Sequence, residues 1–342
     1  MKKKNIKEFL LSELEEIFIE NGLKKFNAVQ LYEWLYKKRV RTFDEMTNLS
    51  KDLRGYLSEH YVISGLKLLQ KKTSADGTLK FVFGLNDGNV IETVMIPEPK
   101  RRTLCVSTQI GCRRKCAFCV SGKGRFVRDL SAAEIVDQVL SVDEQLEEGK
   151  VTNIVFMGIG EPLDNYDNLF RAIDIIREGR GIYIGKRKIS ISTCGIVPAI
   201  ERMIKEKRDI RLSVSLHSAD DNLRSGFMPV NRQYPLDVLF KALRRFSAVF
   251  GFPVFFEYIL IKDLNSSRDD AFRLAQLLRG TSAKVNLIPY NESSFKKWQA
   301  PEPEQIREFC AALEKKKIFY TLRRSRGADI GAACGQLRAQ TK

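Results

Sequence analysis

Apolar runs rich in β-branched residues alternate with amphipathic stretches from about residue 102 onward. This alternation predicts parallel strands that are covered by helices. The six predicted strands are TLCVSTQ, TNIVFMG, KISISTC, IRLSVSLH, PVFFEYILI and KVNLIPY. The predicted helices between them are SAAEIVDQVLSVDEQLEE, DNLFRAIDIIREG, PAIERMIKEK, PLDVLFKALRRF and SRDDAFRLAQLLRG. Six such units are fewer than the eight of a closed barrel, so we expect an open, partial barrel.

The first hundred residues follow other patterns. IKEFLLSELEEIFIENG and FNAVQLYEWLYKKRV carry apolar residues at helical spacing. Two β-rich runs then flank Asn86, Asp87 and Gly88, which is a strong signal for a β-hairpin. The following PEPKRR is interpreted as a linker, and IFYTLRRS, near the C-terminus, as one more strand.

These patterns predict an α/β protein. We expect four parts: an N-terminal helical domain over 1–60, a β-hairpin and linker over 61–101, a partial (β/α)6 barrel over 102–317, and a C-terminal strand and tail over 318–342.

Charge narrows the choice of partner. The formal net charge of +16 points to a polyanion, most often nucleic acid, although a basic protein kept soluble by its surface charge is the alternative. No apolar run approaches the roughly 18 residues of a membrane span, and acidic residues interrupt the N-terminal apolar stretch, so we expect no membrane association and a cytoplasmic location. The basic clusters are Lys37–Arg39, Lys100–Arg102, Arg113–Lys115 and Arg323, Arg324 and Arg326.

Seven cysteines, an odd number, argue against a disulfide framework and for a metal or catalytic role. Three of them, Cys112, Cys116 and Cys119, lie in GCRRKCAFC. Thiolates suit zinc or iron–sulfur clusters, but structural zinc usually takes four ligands. A [4Fe–4S] cluster with one open iron therefore fits best, and zinc completed by a distant cysteine is the alternative. The same loop contains three cations that either offset the negative charge of a cluster or face RNA: Arg113, Arg114 and Lys115.

Polar residues follow several predicted strands. Chemistry in a βα barrel collects on the loops after the strands, and together these residues favour a cofactor site, although each alone is compatible with ordinary turn chemistry. Gly160 permits close backbone approach, and the Glu161 carboxylate accepts from an ammonium group. The candidate cofactor-binding residues are Gly160, Glu161, Ser192, Ser215, Leu216, His217 and Asn291.

Two further cysteines stand apart. Cys105 lies on the first barrel strand, and Cys334 lies in the glycine-rich tail GADIGAACGQL. Little bulk surrounds Cys334 in the sequence, so the tail can bend over the barrel mouth and present a thiol. We interpret Cys194 and Cys310 as inert core residues.

The C-x3-C-x2-C motif after the first strand is similar to the signature of radical S-adenosylmethionine (SAM) enzymes. Together with GEP, SLHS, IPYN and AACGQL it resembles the RlmN/Cfr family of radical SAM RNA methyltransferases, over essentially the whole chain. IETVMIPE, GEPLDNYDN and NLIPYN are similar to the RlmN branch, which methylates adenine C2, rather than the Cfr branch, which acts at C8. One departure is FCVSG, with Ser121 where threonine is common.

The resemblance implies cofactors and residue roles. The three clustered cysteines would hold a [4Fe–4S] cluster whose open iron binds SAM, and Glu161 would hold the methionyl amine. One SAM would methylate Cys334, and a second would give the radical that activates this methyl group for addition to adenine. Cys105 would then take the proton of the RNA adduct and form a transient disulfide with Cys334. Glu92 is a candidate proton acceptor, with an exposed hairpin carboxylate as the alternative.

The resemblance also implies partners. The substrate would be an adenosine of 23S rRNA and, in some members, one next to the tRNA anticodon, unstacked to reach the site. The N-terminal helices, with Trp34 and Tyr36, would dock RNA or pack these aromatic rings inward. We expect a monomer and an electron donor such as flavodoxin or ferredoxin. The rival functions are Cfr-like C8 methylation and a non-catalytic, zinc-containing RNA-binding protein.

Overall fold

The structure is a computed structural model that describes residues 3–292 and 298–338. Its central feature is one mixed sheet of ten strands, in which each strand lies beside the sheet strands before and after it in the chain. Numbered β1 to β10, the strands are Lys67–Thr73, Leu79–Gly84, Val90–Glu98, Arg101–Cys105, Asn153–Phe156, Ile189–Thr193, Arg211–Ser215, Val254–Leu260, Ala283–Pro289 and Tyr320–Leu322.

Helices connect the parallel strands β4 to β10. Alternate strand residues such as Ile154, Phe156 and Ile191 are fully buried, as expected for a sheet covered by helices. The predicted partial barrel of six βα units is thus confirmed. Numbered α1 to α10 within the described residues, the helices are Leu11–Glu20, Lys25–Glu33, Lys51–His60, Ala132–Asp143, Tyr166–Arg177, Val197–Lys205, Asp221–Phe227, Leu236–Phe250, Arg268–Leu277 and Pro303–Lys315.

All six barrel strands and the five helices between them occur where the sequence pattern predicts them. The predicted last strand is also present, as β10, parallel to β9. Two helices, α7 and α10, were not predicted. Helix α7 has only seven residues, too few for a periodic signal, whereas the buried Phe309 and Leu313 of α10 give a helical spacing that the sequence did contain.

The hairpin belongs to the same sheet as the barrel. Strands β2 and β3 flank the predicted turn, and β1 adds an antiparallel strand that was not predicted. The interpretation of PEPKRR as a linker was wrong, because Glu98 of β3 pairs with Arg101 of β4 across a tight turn. A chain that turns directly into the next strand forms ladder hydrogen bonds instead of a spacer.

The N-terminal region is helical, as predicted. Helices α1 and α2 are followed by a π-helix over Trp34–Lys38, and the Ser50 side chain accepts from Leu53 N to cap α3. Gly22, just after the end of α1, adopts a φ of 70°, a left-handed conformation that glycine favours. No helix in the described ranges has the length and apolar character needed to cross a membrane.

A buried ion pair joins this helical region to the barrel. Lys7 Nζ lies 2.7 Å from Asp137 Oδ1 of α4, and the two side chains are 8% and 3% exposed. Lys7 also donates to the Ser64 carbonyl at 3.0 Å. Burial raises the pKa of Asp137 to about 6, against the opposing effect of Lys7. The ammonium group therefore compensates a carboxylate that would otherwise be buried alone.

We predict that Lys7→Met lowers the free energy of unfolding by about 3 kcal/mol, because it leaves the buried Asp137 carboxylate without its partner. The matched control is Lys37→Met. Its ion pair with Glu33 is solvent-exposed, so the expected loss is about 0.5 kcal/mol. Urea unfolding at pH 7 measures both, and equal losses would contradict the predicted role of Lys7.

Candidate active site

The three clustered cysteines lie in the loop of residues 111–122 after β4, called here the cysteine loop. Each of Cys112, Cys116 and Cys119 is half-buried. Burial raises the pKa of Cys116, and the nearby thiols of Cys119 and Cys112 raise it further. Burial also raises the pKa of Cys112 to about 12. The three thiols of the loop thus lie within electrostatic reach of one another, and positive charge bound beside them would stabilise their thiolate forms.

The donor chemistry and spacing indicate which group suits this loop. Thiolates are soft ligands that favour zinc or iron–sulfur clusters. Among residues 3–292 and 298–338, no three cysteine, histidine or carboxylate side chains converge closely enough to hold one metal ion. Structural zinc needs four converging ligands, whereas a cluster offers iron atoms at separate corners. The number and spacing of the three thiols suit a [4Fe–4S] cluster with one open iron.

Glu161 lies in the loop after β5, within electrostatic reach of Cys112 and Cys116. Gly160 precedes it with a φ of 106°, and a Cβ there would lie 2.6 Å from Gln109 Cβ, so the close approach requires glycine. Glu161 Oε2 accepts from Cys194 N at 2.8 Å and Oε1 from Leu163 N at 3.0 Å. Burial raises the pKa of Glu161. In both of these hydrogen bonds the Glu161 carboxylate accepts from a neutral backbone amide, and its oxygen atoms have further lone pairs. It therefore suits a positively charged ligand group.

The ends of β6 and β7 bring four more predicted residues to neighbouring positions. Ser192 and Ser215 are half-buried on these adjacent strands. Leu216 and His217 follow β7, and their amides donate to the Glu257 carbonyl of β8 at 3.0 and 3.4 Å. The predicted residues after β5, β6 and β7 therefore share one rim of the barrel.

His217 is held as a neutral imidazole. It is buried, its φ is 58°, and its Nδ1 accepts from Ile259 N at 3.1 Å. The ring meets that of Phe118, in the cysteine loop, edge to face with 4.5 Å between centroids. Burial, aided by Arg224, lowers the pKa of His217 to about 3. The acceptor at Nδ1 leaves the proton on Nε2.

The C-terminal tail, residues 327–338, brings Cys334 to this rim. Asn291 Nδ2 donates to the Cys334 carbonyl at 3.2 Å. Solvent reaches Cys334, yet the surrounding protein raises the pKa of its thiol to about 11, first by burial and then through the charge of Glu257. Burial and then Cys334 also raise the pKa of Cys105. The two cysteines that the sequence singled out therefore lie within electrostatic reach of each other.

Apolar tail residues cover Cys105. Ala332 and Leu337 form a small hydrophobic cluster with Cys105, Val94 and Ile159, separate from the main core. Burial of these side chains removes apolar surface from water and holds the tail on the sheet without a covalent bond. Cys105 is thus enclosed by the segment that carries Cys334.

Glu92 anchors the same tail. The side chain is buried, so its alternative interpretation as an exposed hairpin carboxylate was wrong. Lys80 Nζ lies 2.9 Å from Glu92 Oε1 and also donates to the Gly331 carbonyl at 3.1 Å. The second oxygen, Oε2, accepts from Arg338 N at 2.9 Å. Lys80 and Glu92 therefore connect the hairpin strands to both ends of the segment around Cys334.

Other anchors come from residues that the sequence did not single out for this purpose. Ser121 Oγ donates to the Leu337 carbonyl at 2.6 Å, and Val120 N donates to the Gly335 carbonyl at 2.7 Å. At the hairpin, Ser74 Oγ donates to Asp329 Oδ1 at 2.6 Å. Ser121 replaces a common threonine but keeps the hydroxyl that this contact needs. Hydrogen bonds from the cysteine loop and from the turn between β1 and β2 thus hold the tail on two sides.

Glu257 is a further acidic residue inside the barrel that sequence analysis missed. Its Oε1 accepts from Ser213 Oγ at 3.0 Å and from Asn286 Nδ2 at 2.8 Å. Burial raises the pKa of Glu257. The signal was present in PVFFEYILI, because a charged residue within an apolar buried strand needs a polar reason to be there.

The three basic residues of the cysteine loop interact mainly with groups other than the cysteines. Arg114 forms two hydrogen bonds with Asp164, with 2.7 Å between Nε and Oδ2. Arg113 is exposed and lies over the ring of Phe126, 3.9 Å from its centroid. Lys115 is exposed. None of the three is a buried cation free to compensate the cysteines.

The N-terminal aromatic residues divide between core and surface. Tyr36 is buried and donates to the Lys7 carbonyl at 3.1 Å. Trp34 is half-buried, and Lys38 Nζ lies 4.4 Å from its ring centroid. The inward packing considered for these rings therefore holds for Tyr36 and only partly for Trp34.

The barrel and its cysteine loop define a class of protein. Residues 106–275 match the family model of the radical SAM superfamily. Proteins of this superfamily use a [4Fe–4S] cluster and SAM, as the three thiols and the rim of Glu161 suggest. Residues 4–63 match the model described as the ribosomal RNA large subunit methyltransferase N-terminal domain.

Relatives that match over the full length narrow this class. The chain is 44% identical over 336 residues to the dual-specificity RNA methyltransferase RlmN of Syntrophobacter fumaroxidans, with 98% of both chains covered. It is 42% identical over 338 residues to the protein of the same name from Pelobacter propionicus, with 99% of this chain and 96% of that one covered. The crystal structure of a radical SAM methyltransferase from Sphaerobacter thermophilus is 40% identical, with a TM-score of 0.93 over 98% of this chain and 99% of that one. The chain belongs to the RlmN family.

We predict that His217 makes the protein less stable below neutral pH. Its pKa is about 3 in the folded state and about 6.5 in the unfolded chain. The stabilising effect of the neutral ring is therefore complete above pH 6.5 and is lost as the pH falls. Between pH 7 and 5 the loss is about 2 kcal/mol.

His217→Asn should remove this contribution, because asparagine tolerates the left-handed backbone and does not titrate. The measurement is the free energy of unfolding in urea at pH 7 and pH 5. The control is His60→Asn, since His60 is the only other histidine and is exposed on α3. Full wild-type pH dependence in His217→Asn would refute this assignment.

Proposed function

We propose that this protein methylates C2 of an adenosine in 23S rRNA and of an adenosine next to the anticodon in tRNA. The observation that carries the proposal is the tail of residues 327–338, which brings the exposed Cys334 close to Cys105 and the cysteine loop. The dual specificity named for the full-length relatives supports the choice of substrates. The cytoplasmic location, the monomeric state and a flavodoxin- or ferredoxin-type electron donor stay predictions.

The cofactors would bind between the cysteine loop and the strand ends. Cys112, Cys116 and Cys119 would hold the cluster, and Glu161 would accept from the ammonium group of SAM, whose charge would compensate the buried carboxylate. When bound, the cluster and SAM supply methyl groups and a radical that removes hydrogen. The remaining SAM contacts are assigned to Gly160, Ser192, Ser215, Leu216, His217 and Asn291.

Cys334 would carry the methyl group to the base. As a thiolate, its sulfur would attack the methyl carbon of one SAM and release S-adenosylhomocysteine. The S-methyl group would then lose a hydrogen atom to the radical from a second SAM, and the resulting carbon radical would bond to adenine C2. The raised pKa of about 11 keeps most of the Cys334 thiol protonated at pH 7, so the reaction requires a proton acceptor or a nearby cation.

Cys105 would resolve the covalent adduct. It lies under the tail, within electrostatic reach of Cys334. Once the adduct has given up one electron, Cys105 would take the proton of the modified carbon. A Cys105 thiolate would then attack the sulfur of Cys334, so that the carbon–sulfur bond breaks, the released carbon takes a proton to become the methyl group, and a disulfide remains. Glu92 competes for the role of proton acceptor. Both of its oxygens already accept from Lys80 or Arg338 N. This favours Cys105 as the base and Glu92 as a residue that positions the tail.

Exposed cations near the mouth would bind the RNA phosphates. They belong to the cysteine loop, to residues 123–125 directly after it and to the segment just before the tail, so they would surround the route to Cys334. Phosphate contacts of this kind weaken with salt and orient the RNA while the target base leaves its stack. These residues are Arg113, Lys115, Lys123, Arg125, Arg323, Arg324 and Arg326.

We predict that Cys105→Ala accumulates a covalent protein–RNA adduct under anaerobic turnover, because the base that resolves it is gone. Denaturing gel electrophoresis with a labelled RNA fragment measures the adduct. Cys310→Ala, which changes a buried cysteine of α10, should turn over without accumulating adduct. Cys334→Ala should give neither adduct nor methylated RNA. An adduct in Glu92→Gln but not in Cys105→Ala would move the base role to Glu92.

The function is tested in cells with and without this protein. Mass spectrometry of rRNA and tRNA nucleosides should show 2-methyladenosine only when the protein is present, and complementation with Cys334→Ala should not restore it. 8-methyladenosine in its place would establish the Cfr-type reaction. Identical nucleosides in both strains would rule out the proposed activity.

A further inference from the structure

A buried arginine beside the cysteine loop forms no direct ion pair with any described residue, and Asp221 is linked to it only through the side chain of Asn231. Arg224 of α7 is 0% exposed and is the largest fully buried side chain among the described residues. The four hydrogen bonds that it donates all go to uncharged oxygen atoms, and within residues 3–292 and 298–338 no carboxylate forms an ion pair with it. Burying a charge without a counter-charge is costly, so a compensating group is needed.

The hydrogen bonds of Arg224 join the ends of two barrel strands. Nη2 donates to the Cys194 carbonyl after β6 at 2.9 Å and to the Ser215 carbonyl of β7 at 3.1 Å. Nε donates to the Leu216 carbonyl at 3.1 Å, and Nη1 donates to Asn231 Oδ1 at 2.5 Å. The guanidinium group is therefore fixed at the rim that carries the candidate cofactor contacts, and it stays protonated because of its intrinsic basicity.

The helix that carries Arg224 contacts the cysteine loop directly. Ala117 N, next to Cys116, donates to the Phe227 carbonyl at the end of α7 at 2.7 Å. Arg224, three residues before Phe227 on the same short helix, therefore lies beside the loop whose sulfur atoms become negative when they bind iron.

The three cations of the cysteine loop itself are not in this position. Arg114 is neutralised by Asp164, and Arg113 and Lys115 are exposed, where water screens their charge. The sequence left open whether this triplet offsets the charge of a cluster. The contacts exclude Arg114 and favour a cation from a different part of the chain.

We propose that Arg224 is the internal counter-charge of the iron–sulfur cluster and raises its reduction potential. The inference rests on the proposed function, specifically on Cys112, Cys116 and Cys119 as cluster ligands. Three thiolates make the cluster negative overall, and reduction adds one more negative charge. A fixed cation in a dry environment stabilises the reduced form more than the oxidised form.

The test is a potentiometric titration of the anaerobically reconstituted full chain, without RNA or SAM, followed by the electron paramagnetic resonance of the reduced cluster. Arg224→Gln should lower the equilibrium constant for reduction at least tenfold, equivalent to 59 mV for one electron. Asn231→Asp keeps Arg224, places a carboxylate against Nη1 and loses the amide's hydrogen bonds to Asp221 and Ser225; in protein that folds and takes up iron it should lower the equilibrium constant similarly. Arg224→Lys, which keeps the charge, and Arg113→Gln, which removes an exposed one, should stay within threefold of wild type.

The variants separate the possible outcomes. A wild-type equilibrium constant in both Arg224→Gln and Asn231→Asp would overturn the proposal, as would an equally large decrease in Arg113→Gln. If Arg224→Gln fails to fold or to take up iron, Arg224→Lys and Asn231→Asp decide by the same criteria. A purely structural role would impair folding without moving the potential of loaded variants. Absence of a cluster from the wild-type protein would instead refute the proposed ligands.

Discussion

The geometry of the candidate site depends on how the C-terminal tail is held. Lys80 binds the Glu92 carboxylate and the Gly331 carbonyl at once, and Arg338 N completes the coordination of Glu92. A buried ion pair stabilises a structure only when its remaining hydrogen-bonding capacity is satisfied, and here the tail backbone satisfies it. Cys334 therefore reaches the barrel rim through contacts made by strands that precede the barrel in the chain.

Charge is distributed unevenly inside the barrel. Glu161 and Glu257 accept hydrogen bonds from neutral donors, and Arg224 donates only to neutral acceptors. Burying such charged groups costs free energy unless ions of opposite sign bind beside them and compensate the charge. The pattern suits a zwitterionic ligand next to an anionic cluster. It also explains why Lys80 and Glu92, which contact the tail, form an ion pair, whereas Glu161, Glu257 and Arg224 form none with the described residues.

Local pattern was enough to predict the parallel strands, most of the helices and the residues at the strand ends. The cysteine loop and Glu161 could be predicted because they lie in short motifs whose residue spacing reflects the local structure. Contacts between distant segments could not be predicted, because nothing in the sequence near Lys80 indicates Gly331. PEPKRR was misinterpreted as a linker for a related reason: a proline-rich turn between paired strands and a spacer share the same composition.

The continuous sheet has a consequence for modularity. Strand β4 pairs with β3 on one side and β5 on the other, so the hairpin and the barrel share backbone hydrogen bonds along a common boundary. Removing the residues before β4 would turn β4 into an open edge prone to aggregation and would remove Lys80 and Glu92, which hold the segment around Cys334. A minimal version of this protein must therefore retain the region before the barrel, and recombination between relatives should exchange it together with its matching C-terminus.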